Sequence, residues 1–193
     1  MLGLKLATDP RWANIAEKSI EEILTDHAYC EQKAASQGIS LIVKYSEFSA
    51  VVDAVTPIVS EEWSHFERVL AELKNRGFHL GKQRKDEYVN LLLKVQKKTG
   101  SKTERLIEDL LICAMIEARS CERFRLLSLN CTNESLREFY HEFMISEAEH
   151  YRIFLDLAKM YMPENIVKQR WNEYLEAEAK IMQSLELRGD RVH

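Results

Sequence analysis

Apolar residues recur every three to four positions along most of this chain, the spacing that gives a helix one buried face. Asp9-Pro10 suits a helix start, with Asp as N-cap and Pro at the first helical position. Ile15, Ile20, Ile23 and Leu24 follow at helical spacing, and the pattern predicts one helix to about Tyr45. Gly38 does not end it, because Ile39, Leu41, Ile42 and Val43 follow at once. A glycine inside a helix costs only ~1 kcal/mol relative to alanine. Ser46-Glu47-Phe48 reads as a turn and Ser49 as the cap of a second helix, which ends at Asn75-Arg76-Gly77. Pro57 inside it removes a backbone bond and predicts a kink. A long connection over residues 78–100 then carries a short helix, expected from Asp86 to Lys98. Ser101-Lys102-Thr103-Glu104 is a capping box that starts a third helix ending near Asn130. Thr132-Asn133 caps a fourth helix, which runs to about Tyr161. Pro163 opens a fifth, amphipathic through Val167, Trp171, Tyr174, Ile181 and Leu185, that stops before Gly189. No segment alternates strictly between turn signals as a strand would. The expected fold is all-α: two helical hairpins joined by a long crossover carrying a short helix, with an additional C-terminal helix.

Composition narrows the class. A chain of 193 residues suits one domain, taken as 1–193, and its 6 Gly and 3 Pro fit a mostly helical protein. Cys30, Cys113, Cys121 and Cys131 show no zinc-type spacing, and Met1 to Leu6 lacks a signal peptide's apolar run. Reduced thiols in a cytoplasmic protein are expected, and no apolar run approaches the ~20 residues of a membrane span. The net charge of −4 is unevenly spread. Eleven basic residues between Arg68 and Arg105 face four acidic ones, a local balance of +7, which leaves −11 for the rest. An acidic body with one basic segment is not what uniform surface solvation would produce.

The candidate chemistry lies in Glu62-Trp63-Ser64-His65 and its echo Glu147-Ala148-Glu149-His150. A carboxylate and an imidazole three residues apart share one helix face and can reach one metal ion. One such pair means little, since most are surface acids beside a stray histidine. Here each pair follows a lone glutamate at nearly equal interval: Glu31 precedes Glu62 by 31 residues, and Glu117 precedes Glu147 by 30. In a hairpin turning at residues 46–48, Glu31 and Glu62 both sit ~20 Å from the turn. Glu138-Phe139-Tyr140-His141 has the same spacing, but its midpoint with Glu117 falls inside a run with no breaker, so His141 is expected in solvent or in a local hydrogen bond. Glu61 and Glu149, one residue from a candidate ligand, turn ~100° away. The order Glu, Glu-x-x-His, twice over, is the ligand set of a ferritin-like di-iron carboxylate bundle. Four carboxylates and two imidazoles suit a pair of iron or manganese ions. Cys113, Ala114, Ser120 and Cys121 around Glu117 either leave room beside the metals or simply pack helices closely. His27, one turn before Glu31, either supports a ligand or fills the core.

The runs Asp26-His27-Ala28-Tyr29-Cys30-Glu31-Gln32-Lys33-Ala34-Ala35, Glu61-Glu62-Trp63-Ser64-His65-Phe66-Glu67, Ile116-Glu117-Ala118-Arg119-Ser120-Cys121-Glu122-Arg123-Phe124 and Ser146-Glu147-Ala148-Glu149-His150-Tyr151 resemble the bacterial tRNA 2-methylthio-N(6)-isopentenyladenosine hydroxylases. The resemblance covers nearly the whole chain. It implies a non-haem di-iron monooxygenase that hydroxylates the isopentenyl group of the modified adenosine beside the anticodon. It also implies Glu31, Glu62, His65, Glu117, Glu147 and His150 as ligands of two iron ions. Dioxygen and an external electron donor are then required, since no flavin or nicotinamide fingerprint is present. Lys82, Arg84, Lys85, Lys94, Lys97 and Lys98 are candidate phosphate contacts to a tRNA anticodon stem-loop, or else a solvated basic face. The competing function on the same ligands is a ferritin-like ferroxidase or iron-storage protein.

Overall fold

The computed structural model describes residues 2–193, which form seven helices and, among the described residues, no strand. Two compact units divide the chain: residues 11–85 with 188–192, and residues 86–187 with 2–10 and His193.

The first unit holds α1 (Arg11–Lys18), α2 (Ile20–Lys44) and α3 (Ser49–Asn75). The single long first helix expected from the pattern is in fact two. Ser19 leaves helical geometry at φ −119°, ψ 41°, and its N–H takes a tight bond to the Ala16 carbonyl at 3.0 Å. The break lets α1 bury its own stripe of Trp12, Ala13 and Ala16 while α2 buries another. The Trp12 indole donates to the Arg188 carbonyl at 2.8 Å, which ties α1 to the segment 188–192.

Beyond that break α2 continues through Gly38 to Lys44, as the pattern predicts. The reason Gly38 is glycine lies across the hairpin. A Cβ there would come within 2.6 Å of Val59 Cγ2 on α3, so the missing side chain lets the two helices approach. A connection of four residues forces α2 and α3 antiparallel. Ser49 is the first residue of α3 rather than its cap. The preceding Phe48 accepts the backbone N–H groups of Val51 and Val52, with no side-chain cap. At the far end Phe78 N–H bonds the Leu73 carbonyl and Gly77 N–H the Lys74 carbonyl, both at 2.9 Å. That is a Schellman motif, and Gly77 supplies its positive φ of 79°. Pro57 lies inside α3, which continues past it.

The second unit holds α4 (Glu87–Leu92), α5 (Lys102–Asn130), α6 (Glu134–Tyr161) and α7 (Glu164–Ser184). Asp86 caps α4 by accepting the Val89 N–H at 3.0 Å. The helix stops at Leu92, six residues short of the expected Lys98. Tertiary partners claim the backbone beyond: Arg170 donates to the Val95 carbonyl at 2.8 Å, and Lys97 N–H donates to Glu108 at 2.9 Å. Ser101 and Glu104 form both halves of the capping box that opens α5. Asn133 caps α6 through the Leu136 N–H at 3.0 Å.

In this unit α5 is buried on most sides, the condition of a central helix. Phe124 on α5 stacks on Tyr140 and meets Phe143 edge-on, tying α5 to α6. Polar contacts hold α7: the Glu108 carboxylate on α5 receives Arg170 at 2.7 and 2.8 Å and the Tyr174 hydroxyl at 2.7 Å. Further along, Arg119 is fully buried between Glu122 at 2.6 Å and Glu178 of α7 at 2.6 Å. Its guanidinium also reaches the Leu6 carbonyl and the Thr8 hydroxyl, which fastens the N-terminal segment.

Candidate metal centre

The hairpin α2–α3 brings Glu31 opposite Glu62 and His65. All three are buried, and each offers a donor atom within 4.8 Å of the others. His65 Nδ1 lies 3.4 Å from Glu62 Oε2 and 3.5 Å from Glu31 Oε2. Glu62 and His65 meet because residues three apart stack on one face of α3.

The hairpin α5–α6 repeats the arrangement. Glu117 on α5, with Glu147 and His150 on α6, is buried, and these donors also lie within 4.8 Å of one another. Each unit thus carries one Glu/Glu/His triad, and the sequence pattern selected all six members. The decoy is resolved as well: Glu138 and His141 are exposed. Glu61 and Glu149 are exposed, one step off the buried stripe, though Glu61 Oε1 still lies 3.7 Å from His65 Nε2.

The electrostatics of the α2–α3 triad favour a cation. Burial pushes the Glu31 pKa well above the ordinary carboxylate range, and the nearby Glu62 charge adds to this. Burial alone would lower the pKa of His65. Hydrogen bonds and charge from Glu31 and Glu62 outweigh it and raise His65 to about 9. Two buried carboxylates beside an imidazole are a cluster that a positive charge compensates, which is compatible with a metal ion. The donor set, carboxylate-rich with two imidazoles and no thiolate, fits iron or manganese. Cys121 is no additional ligand: burial and the Glu117 charge push its thiol up to about 12, and Sγ donates to the Met144 carbonyl. Cys113 and Ala114 are buried as well, and the Ser120 hydroxyl meets His193 Nε2 at 2.8 Å.

Of the two roles expected for His27, contact with a candidate ligand is the one found, while several other buried polar residues carried no signal in the pattern. His27 is wholly buried, its Nε2 2.6 Å from Glu31 Oε1. Its i, i+4 spacing to Glu31 was a legible signal. Asp26, beside it, receives the Val192 N–H at 2.8 Å. Glu108 with Arg170, and Arg119 with Glu178, pair across 62 and 59 residues, and no local signal marks them.

Of the basic candidates, Lys82, Lys85, Lys94, Lys97 and Lys98 are exposed. Arg84 instead pairs with Glu22 and, at 2.9 Å, with Asp190. Lys97 Nζ stands 3.6 Å from Glu173 on the surface.

The chain is similar in structure, over 98% of its length and 94% of the other's, to a Synechococcus protein described as having aldehyde deformylating oxygenase activity. The TM-score is 0.92 and the identity 31%. Fold and triads together define an all-helical protein of the ferritin-like class, with buried carboxylate and histidine donors compatible with a metal centre. Within that class the chain belongs to the tRNA-(MS[2]IO[6]A)-hydroxylase (MiaE) family, whose model matches residues 2–193. Its relatives include a tRNA 2-(methylsulfanyl)-N(6)-isopentenyladenosine(37) hydroxylase from Pseudomonas putida, 35% identical over 92% of this chain and 85% of that one. Another of the same name, from Salmonella typhimurium, is 28% identical over 84% of this chain and 76% of that one. The family consists of hydroxylases, so the chain is an oxidoreductase. No helix among the described residues is long and apolar enough to cross a membrane.

Proposed function

We propose that this protein hydroxylates the isopentenyl group of 2-methylthio-N(6)-isopentenyladenosine in tRNA, acting in the cytoplasm as one di-iron domain. The observation that carries the reading is a family match over residues 2–193 together with burial of all six candidate ligands. Glu31, Glu62 and His65 from one unit and Glu117, Glu147 and His150 from the other are the proposed ligands. Two iron ions held by them would supply the reaction of dioxygen with an unactivated C–H bond.

The chain's own residues have three tasks. The four carboxylates balance the charge of two divalent ions and make the buried set neutral, which lowers the cost of keeping it out of water. His65 and His150 would bind as neutral donors, so metal uptake would release any proton shared within the triad. The exposed Lys82, Lys85, Lys94, Lys97 and Lys98 contact phosphates of the anticodon stem-loop, while Arg84 keeps its internal partners. A loop base costs less to present than one extruded from a duplex. Electrons come from an external donor, and dioxygen is the co-substrate.

The test is direct. Iron-loaded protein supplied with a reductant, dioxygen and prenylated tRNA should convert the nucleoside to one heavier by a single oxygen atom, read by mass spectrometry. An unaltered nucleoside, from protein carrying about two irons per chain, would overturn the substrate assignment.

A further inference from the structure

Among the buried groups that the proposed chemistry does not use, His27 has the most defined geometry. It lies on α2 one turn before Glu31 and is wholly buried. Its Nε2 stands 2.6 Å from Glu31 Oε1. The other oxygen of the same carboxylate, Oε2, is the one that faces His65 at 3.5 Å. The two oxygens of Glu31 are therefore distinguished: one is engaged by a neighbour on its own helix, the other is turned into the triad.

We propose that His27 is a positioning residue for Glu31, donating its Nε2 hydrogen to Oε1 so that Oε2 is the oxygen presented to the metal. The inference rests on the reading of Glu31 as a ligand. A glutamate side chain has three rotatable bonds, and a lone glutamate on a helix has no partner ligand on its own turn to steer it. Glu62 and Glu147 each share a face with a histidine three residues on, whereas Glu31 has none. A hydrogen bond from the preceding turn fixes the carboxylate's rotation. It also adds a donor to an anion that burial would otherwise disfavour. An aliphatic residue of similar size could fill the same volume but could not hold the oxygen.

The experiment compares His27→Gln, which retains an N–H donor, with His27→Met, which fills the space without one. Far-UV circular dichroism of the metal-free proteins checks folding, and the measured quantity is the rate of iron release to an excess of a colourless chelator. Outer partners of metal ligands contribute about 10- to 100-fold in affinity. His27→Met should therefore release iron at least about tenfold faster than the parent, with a shifted Mössbauer signature at one iron, and His27→Gln should recover most of the difference. Equal release from His27→Met and the parent would overturn the assignment, as would a His27→Gln protein that loses iron as fast as His27→Met. Should His27→Met fail to fold, His27→Ala with added imidazole replaces it. Slowing of release by imidazole supports the role, and indifference to imidazole overturns it. A parent protein that takes up no iron would overturn the metal reading and this one together. Intact iron with unmodified tRNA would count against the substrate alone.

Discussion

A single carboxylate-to-amide change tests each triad by itself. Glu117→Gln and Glu62→Gln remove one proposed anionic ligand apiece, each from a buried set of carboxylates and histidine. Each should reduce bound iron below two per chain, read by metal analysis, and hydroxylation should fall by more than 100-fold. Glu138→Gln, at an exposed residue with the same spacing to a histidine, should change neither. Stability has its own residue-scale test at Glu108. Burial would raise its pKa, but the hydrogen bonds from Arg170, the Lys97 N–H and Tyr174 overcome this and hold it below the usual carboxylate value. A depressed folded pKa means that the unfolded chain binds the proton more readily. The contribution is present above the unfolded value of about 4.5 and is lost as pH falls through the lower folded one. Urea midpoints measured from pH 6 down to pH 3 should fall less steeply in Glu108→Gln than in the parent. Glu108→Ala, which leaves Arg170 only Glu173 and the Val95 carbonyl, should cost about 1–3 kcal/mol at neutral pH.

Helix ends obeyed local chemistry where the cap was a side chain or glycine, and departed from it where tertiary contacts intervened. The Ser101–Glu104 box and the Asn133 cap formed as their residues dictate. So did the Gly77 stop. The early end of α4 and the break at Ser19 did not follow from the apolar pattern, because each is decided by partners distant in sequence: Glu108 and Arg170 for one, the Arg188 carbonyl for the other. Gly38 shows the same limit. Its tolerance inside α2 was readable, but its necessity was not, since that depends on Val59 across the hairpin. Gly38→Ala should therefore destabilise the protein in urea titrations even though alanine is the better helix former. Overpacking costs about 1–3 kcal/mol, against a propensity gain of about 1. Adding Val59→Ala should relieve the clash, and the double mutant should show a favourable coupling energy.

Taken whole, the chain has a modest net charge and a concentrated basic segment, so its association with RNA should depend steeply on salt. Lys97→Glu with Lys98→Glu should weaken binding to an anticodon stem-loop and flatten the salt dependence, with iron content unchanged. Binding and metal analysis on one preparation separate these effects, and unaltered affinity would remove both lysines from the interface. A storage protein on the same ligands would assemble into a cage of tens of chains, whereas the hydroxylase should show a far smaller mass in light scattering. The sequence by itself determined the two hairpins, their four long helices and the six candidate ligands. These depend on periods of 3.6 residues, on caps and on i, i+3 spacing, all of which are local properties. Only the tertiary structure decided the break at Ser19, the closing of Glu108 and Arg119 onto α7, the retention of Arg84 by Glu22 and Asp190, and the hold of His27 on one oxygen of Glu31. The spacing that allowed the last contact was visible in the chain. Its formation was not, because whether a buried polar group finds its partner depends on which side chains the packing brings within 3 Å, and a one-dimensional pattern carries no such distance.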